Sequence, residues 1–220
     1  MNDTGIDARR GGALTLVAGA VVALALVLAM TATAARGCPL CGKNLIKNPG
    51  AEAGLGVTAV DARGAVPGWT IAAGQFGAAS YSFPNGWFSA ASKGPAKRGK
   101  NYFFGGTTRE AVDAPASIGK QTVALPAAAA GRKATLSGWL GNYSENRAQV
   151  RAEFADASGN VLSRIRIGPA VTIAGTDMGL RSRSGKVPAG TRQVTIVVIF
   201  SGGGTNYKLA GADSLSLVLT

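Results

Sequence analysis

The two-residue period of hydrophobicity, cut into short runs by Gly, Pro, Asn and Asp, restricts this chain more than any other feature of its sequence. Along residues 148–155, Val150, Ala152 and Phe154 alternate with Arg151 and Glu153. Side chains two apart lie on one face of a strand, so this run has one face to bury and one to hydrate. An Ala157-Ser158-Gly159-Asn160 turn follows and residues 161–167 return, which predicts a hairpin over residues 147–166 with Arg164 and Arg166 on one face. Further strands are expected over residues 44–47, 69–72, 101–105, 117–125 and 134–142. Pro188-Ala189-Gly190 turns the chain into residues 193–200 (QVTIVVIF), the most hydrophobic run and hence the expected central strand, and Leu215, Leu217 and Leu219 alternate through the last one. No stretch after Met30 keeps a 3.6-residue apolar period, and the alanine run in residues 126–131 (PAAAAG) is too short to sustain a helix. The expectation is an all-β domain, an antiparallel β-sandwich in which each sheet buries one face.

A different pattern precedes it. Residues 11–35 carry no charge, are bracketed by Arg9-Arg10 and Arg36, and hold an apolar core at residues 14–30 (LTLVAGAVVALALVLAM). Positive charge on the N-terminal flank keeps that end in the cytoplasm while the apolar run enters the bilayer, so the rest of the chain is expected outside. Two outcomes stay open for residues 1–35. Ala32-Thr33-Ala34 supplies the small residues of a signal-peptide cleavage site, and the run is also long enough for a retained membrane anchor. Either gives a secreted or extracytoplasmic protein that touches the membrane only through this N-terminal segment. Residues 36–43 read as a short linker with a lone CPLC, whose Cys38 and Cys41 are expected to form a disulfide in an oxidising compartment, within one chain or between two. A structural zinc site needs four ligands, and the chain has no histidine and no second cysteine pair.

Residues 44–220 are long enough for one domain with its own core. Several of its segments carry a resemblance. The opening Asn44-Leu45-Ile46-Lys47-Asn48-Pro49-Gly50-Ala51-Glu52, the run from Ala134 to Gly141 (ATLSGWLG), the FADASGNVL hairpin, Val187-Pro188-Ala189-Gly190-Thr191-Arg192 and the closing Ala212-Asp213-Ser214-Leu215-Ser216-Leu217 follow one another in an order that resembles bacterial extracellular galactose-binding-like domains, carbohydrate-binding modules of the family 4/9/22 type. The resemblance implies a jelly roll whose first and last strands lie side by side. It also implies a structural Ca²⁺, because Glu52 and Asp213 match the positions whose carboxylates meet in the calcium-containing members, with Asn48 and the backbone near Asn101 completing the shell. Oxygen-only ligation suits that hard cation. The alternative is an Asx turn at Asn48, a solvated Glu52 and an Asp213 that caps a turn. The closing run Asn206-Tyr207-Lys208-Leu209-Ala210-Gly211-Ala212-Asp213 lacks two acidic or amide oxygens that related domains carry there.

Sugar binding needs an aromatic face with polar groups beside it. Trp69 follows Val66-Pro67-Gly68, where the resemblance implies a tryptophan packed inside, and the face taken by Trp139 depends on strand register. The turn-rich loop of residues 83–88 exposes Trp87 to a ligand, and residues 142–147 combine Asn142, Tyr143 and Arg147 in a connection between strands. These four residues are the expected ligand contacts. Charge adds a second attraction, since 23 Lys and Arg against 11 Asp and Glu leave a formal charge of +12. Such a surface draws polyanions, which outside the membrane means acidic polysaccharide or cell-wall polymer and not nucleic acid. Catalysis finds no machinery here: the absence of histidine excludes Ser-His-Asp chemistry, and no G-x-S-x-G elbow, phosphate loop or dinucleotide fingerprint occurs. The expectation is a non-catalytic binding module for carbohydrate or anionic cell-wall polymer. The rival is a structural or adhesive surface protein that uses the sandwich for protein contacts.

Overall fold

Among the described residues, ten strands form two antiparallel five-stranded sheets. The computed structural model describes residues 37–83, 87–169, 176–202 and 207–220, and its compact unit is Cys38–Thr220. The N-terminal run of residues 1–35 lies outside the described residues. Among those described, no helix is long and apolar enough to cross a membrane. In chain order the strands are β1 (Thr70–Ala73), β2 (Gly77–Ser80), β3 (Asn101–Phe104), β4 (Ala116–Ala124), β5 (Lys133–Asn142), β6 (Arg147–Ala155), β7 (Val161–Ile167), β8 (Met178–Lys186), β9 (Gln193–Ser201) and β10 (Ala210–Leu219). One five-residue helix, α1 (Arg109–Asp113), precedes β4, and the alanine run makes only a 3-10 turn at Ala127–Ala129.

The first sheet runs in the order β1-β4-β9-β6-β7 and the second in the order β2-β3-β10-β5-β8. The hydrophobic run of β9 is central, pairing with both β4 and β6. Its Val194, Ile196, Val198 and Phe200 face Leu136, Leu140, Leu215 and Leu217 of the other sheet across a continuous core. Removing such side chains from water supplies the main force that holds the layers together.

Three expectations required correction. Residues 44–47 form no strand; Asn44 makes a single bridge to Val218. The segment nonetheless runs beside β10, with Leu45 N–H donating to Leu217 O at 2.9 Å and Gly42 N–H donating to Leu219 O at 2.9 Å. The sequence also offered no sign of β2 or β8. β2 (GAAS) buries small residues that give little periodic signal, and β8 (MGLRSRSGK) is an edge strand polar on both faces. Cys38 and Cys41 are bonded to each other across 5.3 Å between Cα atoms, and both pack against the core together with Leu40, so part of the expected linker belongs to the domain.

Trp69 is half-buried, lying 5.0 Å from the Phe103 ring and donating its indole N–H to Lys47 O. A second, smaller core covers the outer face of the second sheet. Tyr102 and Phe104 of β3 point away from the main core and are roofed by Tyr81, Phe83, Trp87 and Phe88 from the β2–β3 connection. The roof fits because two glycines, Gly141 and Gly211, are cross-strand partners beneath it. A Cβ at Gly141 would fall 2.4 Å from a Phe88 ring carbon, and one at Gly211 2.8 Å.

Candidate functional site

A break in the last strand positions the first group of interest. The β10–β5 register shifts between Asp213 and Ser216, and Ser214 takes a positive φ of 48°, the local kink of a β-bulge. Asp213 lies on the outer face of the second sheet, opposite Trp139, and is fully buried. Tyr81 donates its hydroxyl to Asp213 Oδ2 at 2.8 Å, and Ser214 N–H donates to Oδ1.

Glu52 arrives from the opposite end of the chain. Asn48 and Ala51 both adopt positive φ, 49° and 62°, which winds residues 48–54 into a tight loop. The Asn48 side chain stabilises that loop: its oxygen accepts from Ala53 N–H at 3.0 Å and its amide donates to Pro67 O at 3.1 Å. Asn101 donates to Ala51 O and Gly54 O from the other side. Glu52 Oε2 then accepts from Lys100 N–H at 2.9 Å and Oε1 from Asn101 N–H at 3.0 Å.

Glu52, Asp213, Asn48, Lys97 and Arg98 line one pocket of about 730 Å³. The structure therefore brings the two predicted carboxylates together. Burial raises the Asp213 carboxyl from its ordinary value near 3.8 to about 7; the Tyr81 and Ser214 hydrogen bonds oppose the rise and the Glu52 charge adds to it. No Lys or Arg nitrogen comes within 4.0 Å of either carboxylate among the described residues. Arg98 lines the pocket, yet its guanidinium is occupied by Ser89 O at 2.9 Å and Ser92 O at 2.7 Å, with its Cζ 5.0 Å from the Tyr81 ring centroid. Two adjacent carboxylates without a partner cation take up a proton or a hard cation. Oxygen donors of this kind suit a hard cation such as calcium, for which Glu52 and Asp213 would be the charged ligands. Asn48 lines the pocket with its amide oxygen already engaged by Ala53. No cluster of three His, Cys, Asp or Glu occurs among the described residues, so carbonyl and water oxygens would complete such a shell.

A second group sits at one end of the same sheet. Phe104, Gly211, Gly141 and Met178 are successive cross-strand partners in β3, β10, β5 and β8. Trp87 stacks on Phe104 with centroids 4.9 Å apart and lies 4.6 Å from the Phe83 ring at a tilt of 34°, and it stays half-exposed. One residue further along, Ala210 partners Asn142, so the segments that carry Tyr207 and Tyr143 leave the sheet side by side. These tyrosines are 38% and 42% exposed. Arg147 is exposed at the start of β6. Asn142 is buried, and its amide donates to Ser144 O within the turn; it shapes the loop and does not face solvent. Trp139 is half-buried on the outer face, between Asp213 and the exposed Leu180. Tyr207 is one of the seven Trp and Tyr residues that the sequence offers as candidates for sugar stacking, but not one of the four expected contacts, and nothing along the chain announces the Tyr81–Asp213 hydrogen bond, whose partners stand 132 positions apart.

No family model matches the chain, and no curated protein matches it in sequence. Solved structures do match in fold. The enzymatically active domain of tailspike protein 4 of bacteriophage CBA120 is 15% identical, with a TM-score of 0.53 over 80% of this chain and 21% of that one. This chain thus spans about a fifth of the tailspike chain's length. A family 16 carbohydrate-binding module is 16% identical, with a TM-score of 0.50 over 80% of this chain and 99% of the module. At such identities the likeness is one of fold.

Proposed function

We propose that this chain is an extracytoplasmic, non-catalytic binding module for carbohydrate, a jelly roll of the galactose-binding-like kind, held together in part by a structural calcium ion. The observation that carries the reading is that Trp87 rests on Phe104 at the end of the second sheet from which the segments carrying the exposed Tyr143 and Tyr207 leave side by side. Aromatic side chains left half-exposed or exposed at a sheet end offer flat apolar faces, and a pyranose presents a matching face of C–H groups. Arg147 stands at the same end of the β5–β6 turn to take sugar hydroxyls. The whole-length fold likeness to a module named for carbohydrate binding supports the class of ligand.

Calcium would lie between Glu52 and Asp213 and neutralise two carboxylates that otherwise repel. Its role is to tie the opening loop to the last strand.

Retention on immobilised glycans tests the reading. Tyr143→Ala is expected to weaken retention by up to about tenfold, roughly the 1.4 kcal/mol near the upper end of what one stacked ring supplies, with an unchanged melting temperature; Trp87→Ala is expected to weaken it similarly and also to lower the melting temperature, because its ring packs on Phe83 and Phe104. Preserved retention in both variants removes the aromatic end from binding. Silence across a glycan array, joined to self-association, instead favours the structural or adhesive reading.

A further inference from the structure

The second open surface lies on the opposite sheet and involves none of the aromatic residues above. Cross-strand partners on the outer face of the first sheet form rows. Lys120 of β4, Val197 of β9, Arg151 of β6 and Arg166 of β7 are partners in succession, and the next row holds Thr122, Thr195, Glu153 and Arg164. Neighbouring strands lie about 4.8 Å apart, so the row from Lys120 to Arg166 spans about 14 Å across three strand spacings. Val197, between Lys120 and Arg151, is 1% exposed although it faces outward, as happens where long charged side chains lay their aliphatic stems along a sheet.

The charge on this face is one-sided. The five strands of the sheet carry Lys120, Arg147, Arg151, Arg164 and Arg166 against the single acid Glu153. Glu153 accepts from Arg164 Nε at 3.1 Å and lies 3.6 Å from Arg151 Nε. Arg151 Nε is itself buried without a hydrogen-bond partner among the described residues. No carboxylate comes within 4.0 Å of Lys120 or Arg166 among the described residues. Arg151 and Arg166 stand directly opposite each other, an arrangement of like charges that weakens a sheet unless an anion sits between them.

We infer that this face binds an acidic polysaccharide laid across the strands, its carboxylates on Arg166, Arg151 and Lys120. Guanidinium groups pair with carboxylates through two parallel hydrogen bonds. A uronate chain supplies such carboxylates along its length. The flanking groups suit a sugar: Thr122 and Thr195 share a hydroxyl contact of 2.9 Å, and Gln149 lies on the same face of β6.

The test uses the full chain with polygalacturonate fragments, a neutral galactan and inorganic polyphosphate as probes. The double variant Lys120→Gln with Arg166→Gln is expected to weaken polygalacturonate binding at least about tenfold with an equal or higher melting temperature, because a like-charge opposition is relieved. Lys43→Gln with Lys186→Gln removes the same charge elsewhere and is expected to leave binding within about twofold. Equal loss in the two double variants, or polyphosphate bound as tightly as polygalacturonate, would each overturn the proposal. Failure here leaves neutral-glycan retention at the aromatic end untouched.

Discussion

At the scale of single residues, Asp213 links the buried pocket to pH. A carboxyl whose folded value stands near 7, against an ordinary 3.8, holds its proton more tightly in the native state. The unfolded chain releases that proton first as pH rises, so the native state loses stability between about pH 4 and pH 7, by up to about 4 kcal/mol, and keeps it fully below that window. The chain has no histidine to titrate in the upper part of this range. In the presence of chelator, the melting temperature is therefore expected to fall as pH is raised from 4 to 7, and Asp213→Asn is expected to flatten that dependence. A slope that persists in Asp213→Asn assigns it to another group. The resemblance made Glu52 and Asp213 legible as a pair. The Tyr81 hydroxyl and the backbone amides that hold them were not, because they come from segments that only the closed sandwich brings near.

At the scale of elements, strands with one wet face were readable from their alternation, and β4, β5, β6, β7 and β9 appear within a residue or so of their expected bounds. β2 and β8 carry no such alternation, since a strand of small residues and an edge strand rich in arginine lack the contrast that periodicity needs. The roof over the second sheet rests on two glycines, and this too is invisible along the sequence. Gly141→Ala drives a methyl into the Phe88 ring, 2.4 Å from the ideal Cβ position; the overpacking is expected to cost about 1–3 kcal/mol and to shift the fluorescence of Trp87. Gly159→Ala, in the β6–β7 turn, meets only Gln193 at 3.8 Å. It is expected to cost about 1–2 kcal/mol through its positive φ alone, with no optical change. Equal optical responses from the two variants would show that Phe88 and Trp87 do not rest on the glycine pair.

At the scale of the whole molecule, the sandwich closes by laying residues 42–49 along β10. Asn44 spans both sides of that join, donating to Leu215 O at 2.9 Å and accepting from Leu217 N–H at 3.0 Å. A cation held by Glu52 and Asp213 would reinforce the same closure, as any ligand bound only by the native state raises its stability. Removing Ca²⁺ is expected to lower the melting temperature by several degrees at pH 8 and by less at pH 5, where a proton on Asp213 competes with the metal. An unchanged melt with no metal bound, measured by equilibrium dialysis, disposes of the site. The disulfide closes a short loop and is expected to matter less.

Local chemistry determined the fold class of this chain: residues two apart must share a strand face, glycine and proline must punctuate, and the absence of histidine excludes Ser-His-Asp catalysis before any coordinate is known. Tertiary structure decided everything that depends on which strands become neighbours. It placed Trp139 on the outer face beside Asp213, turned Asn142 inward and Tyr207 outward, and set Arg166 opposite Arg151. Those outcomes follow from register and sheet order, which are fixed by the joint packing of two layers and are written in no single stretch of residues.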